Sequence, residues 1–513
     1  MKKSRVINTV FGKVQGYKYK DITIFKGLPY AMPPIGDLRF SPPEPLKSWN
    51  GILKAYKVGP YAPQGYTLLE ENFGKCEFQS ENNCLNLNIW TPDSFDQKKP
   101  VMVYIHGGSF IFGGNADKWF GIDGMQLALN GNIVVVTLNY RLGAFGFLYV
   151  PDKVVNIGIL DQIAALKWIK ENIESFGGDP ENITIFGESA GGLSVEILIS
   201  NFSQKGLFNK AIIQSAPILD TKPAIRSTEA LFKEFGVAFG DIESLRKLSS
   251  KKIIKVQNKI IAKWVQEDTN EIMDFRPSID GKIIRDYPFK ALKQGSGKNI
   301  DIIIGTNQNE CNLWTVQNPL MQNLDWDGLV KVLSTRLNKF GNGEFVGKEE
   351  TSKRLIREYK NIQKEKYKMR PIDIYNLIDT DFTFRIPAIR FCELQCLHNK
   401  NAYQYVFNWP SPALNGEYGA CHILELPYVF GTLGNTGVEW FFGSGKEAET
   451  VSSNMMQSWV KFAYNGNPNH NNIPNWAPYN ETERCVMMID NPFQLIKDHY
   501  KKILPLWEDF LLF

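Results

Sequence analysis

Residues 182–192 read NITIFGESAGG and set Ser189 in the pattern Gly187-Glu188-Ser189-Ala190-Gly191. A serine hydroxyl is almost un-ionised at neutral pH, so it becomes a nucleophile only where a base and fixed hydrogen-bond donors are supplied. The run Ile183-Thr184-Ile185-Phe186 is β-branched and aromatic and predicts a short buried strand. Flanking glycines permit a turn too tight for a Cβ, with the serine Oγ left exposed on a strained backbone. Leu193-Ser194-Val195-Glu196-Ile197-Leu198 then continues as a helix whose first N–H groups face any negative charge beside the serine. In an arbitrary chain the five-residue pattern marks only a glycine-rich turn; strand, turn and helix together point to nucleophilic catalysis.

A second chemical feature lies upstream. The strand Val101-Met102-Val103-Tyr104-Ile105 runs into His106-Gly107-Gly108-Ser109-Phe110. A tetrahedral intermediate carries a negative oxygen, and the backbone N–H groups of small residues can approach it unobstructed. Each such donor is worth about 3 kcal/mol in the transition state.

The chain has five histidines, few enough to choose a base by elimination. His106 belongs to the glycine loop, where its ring suits the floor of a site. His398 at a charged helix end, His470 in a turn, and His499 beside Asp498 are expected to face solvent. His422 remains, in a loop after the late strand Tyr403-Gln404-Tyr405-Val406-Phe407. An acid must orient its ring. Glu310, just beyond the strand Asp301-Ile302-Ile303-Ile304-Gly305, gives the order Ser, acid, His; from spacing alone a surface glutamate is the competing reading.

The elements that must carry these residues alternate. Ile133-Val134-Val135-Val136-Thr137-Leu138 is apolar throughout, as in a strand covered on both faces. Ile159, Ile163, Leu166, Ile169 and Ile173 recur at helical spacing until Gly177-Gly178-Asp179-Pro180 stops the helix. Lys210-Ala211-Ile212-Ile213-Gln214-Ser215 is the next strand. This alternation predicts an α/β fold with a large, mostly parallel central sheet. Residues 221–274 and 325–368 are charged and helical and read as excursions over that sheet. Residues 25–40 are rich in Pro and Gly but carry apolar anchors, predicting an ordered loop. No repeat or linker divides the chain, so one domain is expected over residues 1–513.

Of 513 residues 43% are hydrophobic, and 58 basic against 54 acidic residues leave a net charge of +4 without charged blocks, so no nucleic-acid partner is expected. Lys13, Gln15, Lys18, Lys20 and Asp21 interrupt any apolar core of a leader, and no stretch nears the roughly 18 apolar residues of a membrane span. A soluble, cytoplasmic chain is the expectation. Seven cysteines form no framework; Cys76 and Cys84 could close a small loop, and Cys392 and Cys396 read as packed thiols on one helix face.

FKGLPYAMPPIGDLRF, CLNLNIW, HGGSF, NYRLGAFGF, FGGDPENITIFGESAGG and HILELPYVFG, in this order, resemble the type B carboxylesterase and cholinesterase family of α/β-hydrolases over nearly the whole chain. The resemblance implies an α/β-hydrolase fold with Ser189 as nucleophile, Glu310 as acid and His422 as base. It also implies an oxyanion hole from the N–H groups of Gly108, Ser109 and Ala190, with no metal and no cofactor. Family members commonly bury the acid that precedes the nucleophile, here Glu188. Asn309 and Cys311 depart from the acid and glycine that often flank the triad glutamate. The secreted members' first disulfide would use Cys84, but its usual partner position looks like Ala62, which leaves Cys76 or reduced thiols. Residues 72–76 lack the tryptophan that holds choline in cholinesterases, so choline selectivity is not expected. The expected substrate is a small neutral carboxylic ester. The alternatives are a lipase or lysophospholipase of the same fold, or a non-catalytic adhesion or scaffold protein.

Overall fold

The computed structural model describes residues 2–65, 78–94, 97–117, 119–202, 206–220, 223–267, 275–339, 349–363, 369–435 and 437–511. Its frame is a 13-stranded sheet. The strands are β1 (Lys2–Asn8), β2 (Lys13–Tyr19), β3 (Ile22–Pro29), β4 (Ile52–Lys54), β5 (Asn86–Pro92), β6 (Lys99–Ile105), β7 (Val134–Leu138), β8 (Gly178–Glu188), β9 (Lys210–Gln214), β10 (Asp301–Asn307), β11 (Ala402–Phe407), β12 (Val486–Ile489) and β13 (Gln494–Ile496). They lie in the order β1-β2-β3-β5-β7-β6-β8-β9-β10-β11-β12-β13, with β4 beside β2.

From β7 to β12 every pairing is parallel. The rims, β1 to β5 at one side and β13 at the other, pair antiparallel except for β4. Strands β6, β7 and β9 are buried along their whole length, although β6 opens on Lys99 and β9 runs from Lys210 to Gln214. Successive side chains still alternate between two layers. Val101, Val103 and Ile105 of β6 join one apolar cluster, while Met102 and Tyr104 join the other. A third cluster gathers helices Trp326–Lys339, Glu349–Ile362 and Pro371–Thr380 around Tyr500, Leu504 and Trp507 near the C-terminus.

The strand predicted over 183–186 is the centre of a longer one, β8, of 11 residues. The preceding helix, Ile157–Asn172, does stop at the predicted glycines. Gly177 adopts φ 84°, and Gly178 already opens β8 opposite Lys99. The loop over 25–40 is anchored as its sequence demands: Phe25, Leu28, Tyr30 and Phe40 are buried, and Tyr30 Oη donates to the Asn139 carbonyl at 2.7 Å. Arg141 reaches the same loop through the Ser41 carbonyl (2.8 Å), while its fork grips Asp161 at 2.6 and 2.7 Å.

Chain order explains where a site forms. β7 lies on one side of β6 and β8 on the other, so the connections diverge at the carboxyl ends of β6 and β8. Open parallel sheets bind ligands at such a reversal.

Candidate active site

β8 ends at Glu188 and helix Ala190–Phe202 begins one residue after Ser189, so a single residue makes the turn. Ser189 adopts φ 57°, a conformation costly for an L-residue, and is 9% exposed. Its N–H is fixed to the Gln214 carbonyl of β9 at 2.9 Å. The glycines serve close approach. A Cβ at Gly191 would stand 2.0 Å from the Ile105 carbonyl oxygen, and one at Gly187 would stand 2.5 Å from the Gly191 carbonyl carbon.

Beside the turn, β6 delivers the second glycine loop. Gly108, Ser109 and Phe110 all have positive φ, at 103°, 52° and 60°. The loop is locked by Ile111 N–H and Phe112 N–H on the Gly108 carbonyl, both at 3.0 Å, and by Gln64, which exchanges hydrogen bonds with the Gly113 backbone. A Cβ on Gly107 would lie 3.1 Å from Ser189 Cβ, so this loop passes directly over the serine. Among the described residues the N–H groups of Gly108, Ser109 and Ala190 have no hydrogen-bond partner.

His422 is 3% exposed and Glu310 fully buried, and His422 Nδ1 lies 2.7 Å from Glu310 Oε2. Glu310 is itself fixed, its Oε1 accepting Asn307 N–H at 2.7 Å while its carbonyl accepts His422 N–H at 3.3 Å. The other ring nitrogen, Nε2, lies 3.1 Å from Oε1 of Glu188. Among the described residues no hydrogen bond engages the Ser189 hydroxyl in this geometry. Trp314 and Phe384 flank the imidazole, with ring centroids 5.0 and 4.9 Å away.

Three buried glutamates therefore surround one histidine. Burial would lower the His422 pKa, but the charges of Glu188 and Glu310 outweigh it and hold it at about 9. Burial also drives the Glu188 carboxyl well above its ordinary range, with the His422 charge opposing. Glu188 Oε1 meets no hydrogen-bond partner among the described residues, so it acts on His422 through its charge. Burial likewise raises Glu425, whose two oxygens accept hydrogen bonds from Gln214 Nε2 (3.1 Å) and Asn307 Nδ2 (2.6 Å).

The Carboxylesterase family model matches residues 3–504. The chain belongs to the carboxylesterase family. The carboxylesterase-family chain is 34% identical to para-nitrobenzyl esterase of Bacillus subtilis (strain 168), over 96% of each protein. It is 31% identical to liver carboxylesterase B-1 of Rattus norvegicus, over 94% of this chain and 90% of that one. Among solved structures it resembles a thermophilic PNB esterase (TM-score 0.84, 32% identity, 98% and 99% covered). It also resembles a Geobacillus stearothermophilus carboxylesterase (TM-score 0.84, 32% identity, 98% and 100% covered). The expected α/β-hydrolase fold is the one observed.

The carboxylesterase chain gathers Glu310, His422 and the residue next to Ser189 at one point, with the loop of Gly108 and Ser109 above it. The remaining histidines lie in other contacts. His106 stacks on Tyr140 at 4.5 Å, and burial depresses its pKa to about 4, so it is a neutral packing ring. His398 is exposed, with Nε2 at 2.9 Å from the Lys293 carbonyl, and His499 is exposed. His470 corrects the solvent-facing expectation: it is partly buried, with Nε2 3.1 Å from the Asn454 carbonyl and 3.2 Å from Ser458 Oγ. Turn chemistry in its sequence concealed the long helix, Lys446–Asn465, against which it packs.

Asn309 fits its unusual place: its Oδ1 accepts Ala420 N–H at 3.2 Å, tying the Glu310 loop to the His422 loop. Cys84 is a buried free thiol; Cys76 and residues 72–76 lie outside the described residues. Cys392 and Cys396 are free thiols, the first buried and the second partly so. Sequence reading overlooked Glu425, Gln214, Asn307, Trp314 and Phe384. The spacing His422-Ile423-Leu424-Glu425 was the one local signal among them.

Proposed function

We propose that this chain is a serine carboxylesterase, one domain over residues 1–513, cleaving small neutral carboxylic esters through an acyl-enzyme. The observation that carries the reading is the buried 2.7 Å contact of Glu310 with His422 Nδ1, beside a serine at φ 57°. Glu310 holds the proton on Nδ1, so Nε2 is the nitrogen that accepts one. For the reaction Nε2 turns from Glu188 toward Ser189 Oγ. The Ser189 oxygen attacks the ester carbonyl as His422 takes its proton. The tetrahedral oxyanion is met by the N–H groups of Gly108, Ser109 and Ala190, which have no other partner among the described residues. His422 then protonates the departing alcohol, and water releases the acid by the reverse path.

Among the described residues no helix is long and apolar enough to cross a membrane. The direct test is Ser189→Ala, which should cost on the order of 10⁶-fold in turnover of a soluble p-nitrophenyl ester. A fluorophosphonate should label Ser189 and not the variant. Unchanged turnover in the variant rejects the reading. A lipase would instead show a jump in rate when a long-chain ester passes from solution to an emulsified surface.

A further inference from the structure

The loop bearing Glu310 is gripped on both flanks by one helical segment that nothing in the reaction itself calls for. Helix Pro371–Thr380 continues into a π-helical turn, Asp381–Arg385, and then into helix Ile386–Cys396. A π turn inserts a residue into a helix and re-aims the side chains around it. On one flank Arg385 Nη2 donates to the carbonyls of Asn307 (3.1 Å) and Gln308 (2.8 Å), where β10 leads out toward Glu310. On the other flank Cys311 N–H donates to Thr380 Oγ1 at 3.2 Å, and Cys311 Sγ to Asp379 Oδ2 at 3.4 Å. Between them Phe384 lies on the His422 ring.

The guanidinium is braced from behind. Asp381 Oδ1 holds Arg385 Nη1 at 2.5 Å, and Asp381 Oδ2 accepts Tyr359 Oη at 2.6 Å. The Tyr359 oxygen accepts Trp507 Nε1 at 2.8 Å. Arg385 and Asp381 are each 3% exposed. A buried ion pair contributes little net stability against apolar packing, whereas a planar, always-charged fork spanning two adjacent carbonyls fixes their direction. A misplacement of about 1 Å in a reacting group can cost on the order of 10²-fold in rate, so the direction of this loop has kinetic weight.

We propose that Arg385 is a positioning residue for Glu310, braced through Asp381 by Tyr359; the proposal rests on Glu310 and His422 being the working pair. Arg385→Lys in the full chain keeps the charge and loses the fork. Its kcat should fall about tenfold with KM within about twofold, and the acid limb of its pH–rate profile should move to lower pH as Glu310 supports the imidazolium less well. Tyr359→Phe removes the brace with little change in volume and should give a smaller fall in kcat, again at constant KM. The double variant should lose less than the product of the two, because the residues act through one contact. Wild-type kcat and pH profile in both variants overturns the proposal, as does a loss fully accounted for by a smaller folded fraction. If Arg385→Lys does not fold, Tyr359→Phe alone decides on the same readouts. The two failures are separable: a dead Ser189→Ala beside a wild-type-like Arg385→Lys removes only the positioning role, whereas an active Ser189→Ala removes the hydrolase reading beneath it.

Discussion

His422 Nε2 lies 3.1 Å from Glu188 Oε1, on the ring edge opposite the one held by Glu310. The residue before the serine thus sets its carboxyl against the nitrogen that the proposed reaction needs at Ser189. Its charge favours the protonated imidazole, the form that cannot act as the base in the proposed reaction.

Replacing Glu188 by Gln removes one of the charges that hold His422 at about 9, where the charges of Glu310 and Glu425 remain. Burial then acts with less opposition, and the imidazole loses its proton at lower pH. The acid limb of kcat/KM against pH should move down in Glu188→Gln. An unmoved limb means that the Glu188 charge does not set the protonation of His422.

The two buried histidines pull stability in opposite directions with pH. His106 has a folded pKa of about 4, below its ordinary 6.5, so the unfolded chain binds the extra proton and stability falls as pH drops through that interval. His422, held at about 9, contributes stability that is complete below 6.5 and lost as pH rises through about 9. In Tm against pH, His106→Phe should flatten the acid side and His422→Gln the alkaline side. Parallel curves for wild type and both variants would show that neither ring is linked to folding.

How much of this was legible differs by element. The parallel centre could be read because β7 is a near-continuous apolar run, as strands covered on both faces are, and residues 101–105 of β6 and 211–213 of β9 are apolar stretches. The rims could not: β1 buries only Ser4 and Ile7, a spacing without the strand period of two, and β12 and β13 are only four and three residues long. Ser189 announced itself because its turn demands glycines at fixed offsets. His422 needed elimination, since a loop histidine has no local signature. Glu425 meets Gln214 from 211 positions away, and Phe384 reaches His422 only through a π turn; contacts made by folding leave no local period to read.

Gly191 sets the distance between the serine turn and β6. A Cβ there would stand 2.0 Å from the Ile105 carbonyl oxygen and 3.0 Å from the His106 carbonyl carbon. Both are backbone atoms, and Ile105 is paired with Leu138 on one side and Gly187 on the other, so neither yields cheaply. Gly191→Ala should cost at least the ~1–3 kcal/mol typical of overpacking and show a lower urea midpoint. A wild-type midpoint would mean that the sheet and the turn can separate.

Ser109 stands where the chemistry asks only for a backbone N–H. It adopts φ 52°, which suits glycine better than serine, and Gly108 before it has φ 103° with no room for a side chain: a Cβ there would lie 2.1 Å from the Phe112 carbonyl oxygen. Ser109→Gly keeps the donor and removes the backbone strain, so kcat/KM on a soluble p-nitrophenyl ester should stay within about threefold of wild type. Gly108→Ala forces the loop away from Phe112 and takes both donors with it, and should cost on the order of 10²–10³-fold in kcat, the scale of losing one oxyanion contact. A hundredfold loss in Ser109→Gly would instead place the serine hydroxyl, and not the backbone, on the oxyanion. Wild-type kcat in Gly108→Ala would take the loop out of the reaction altogether.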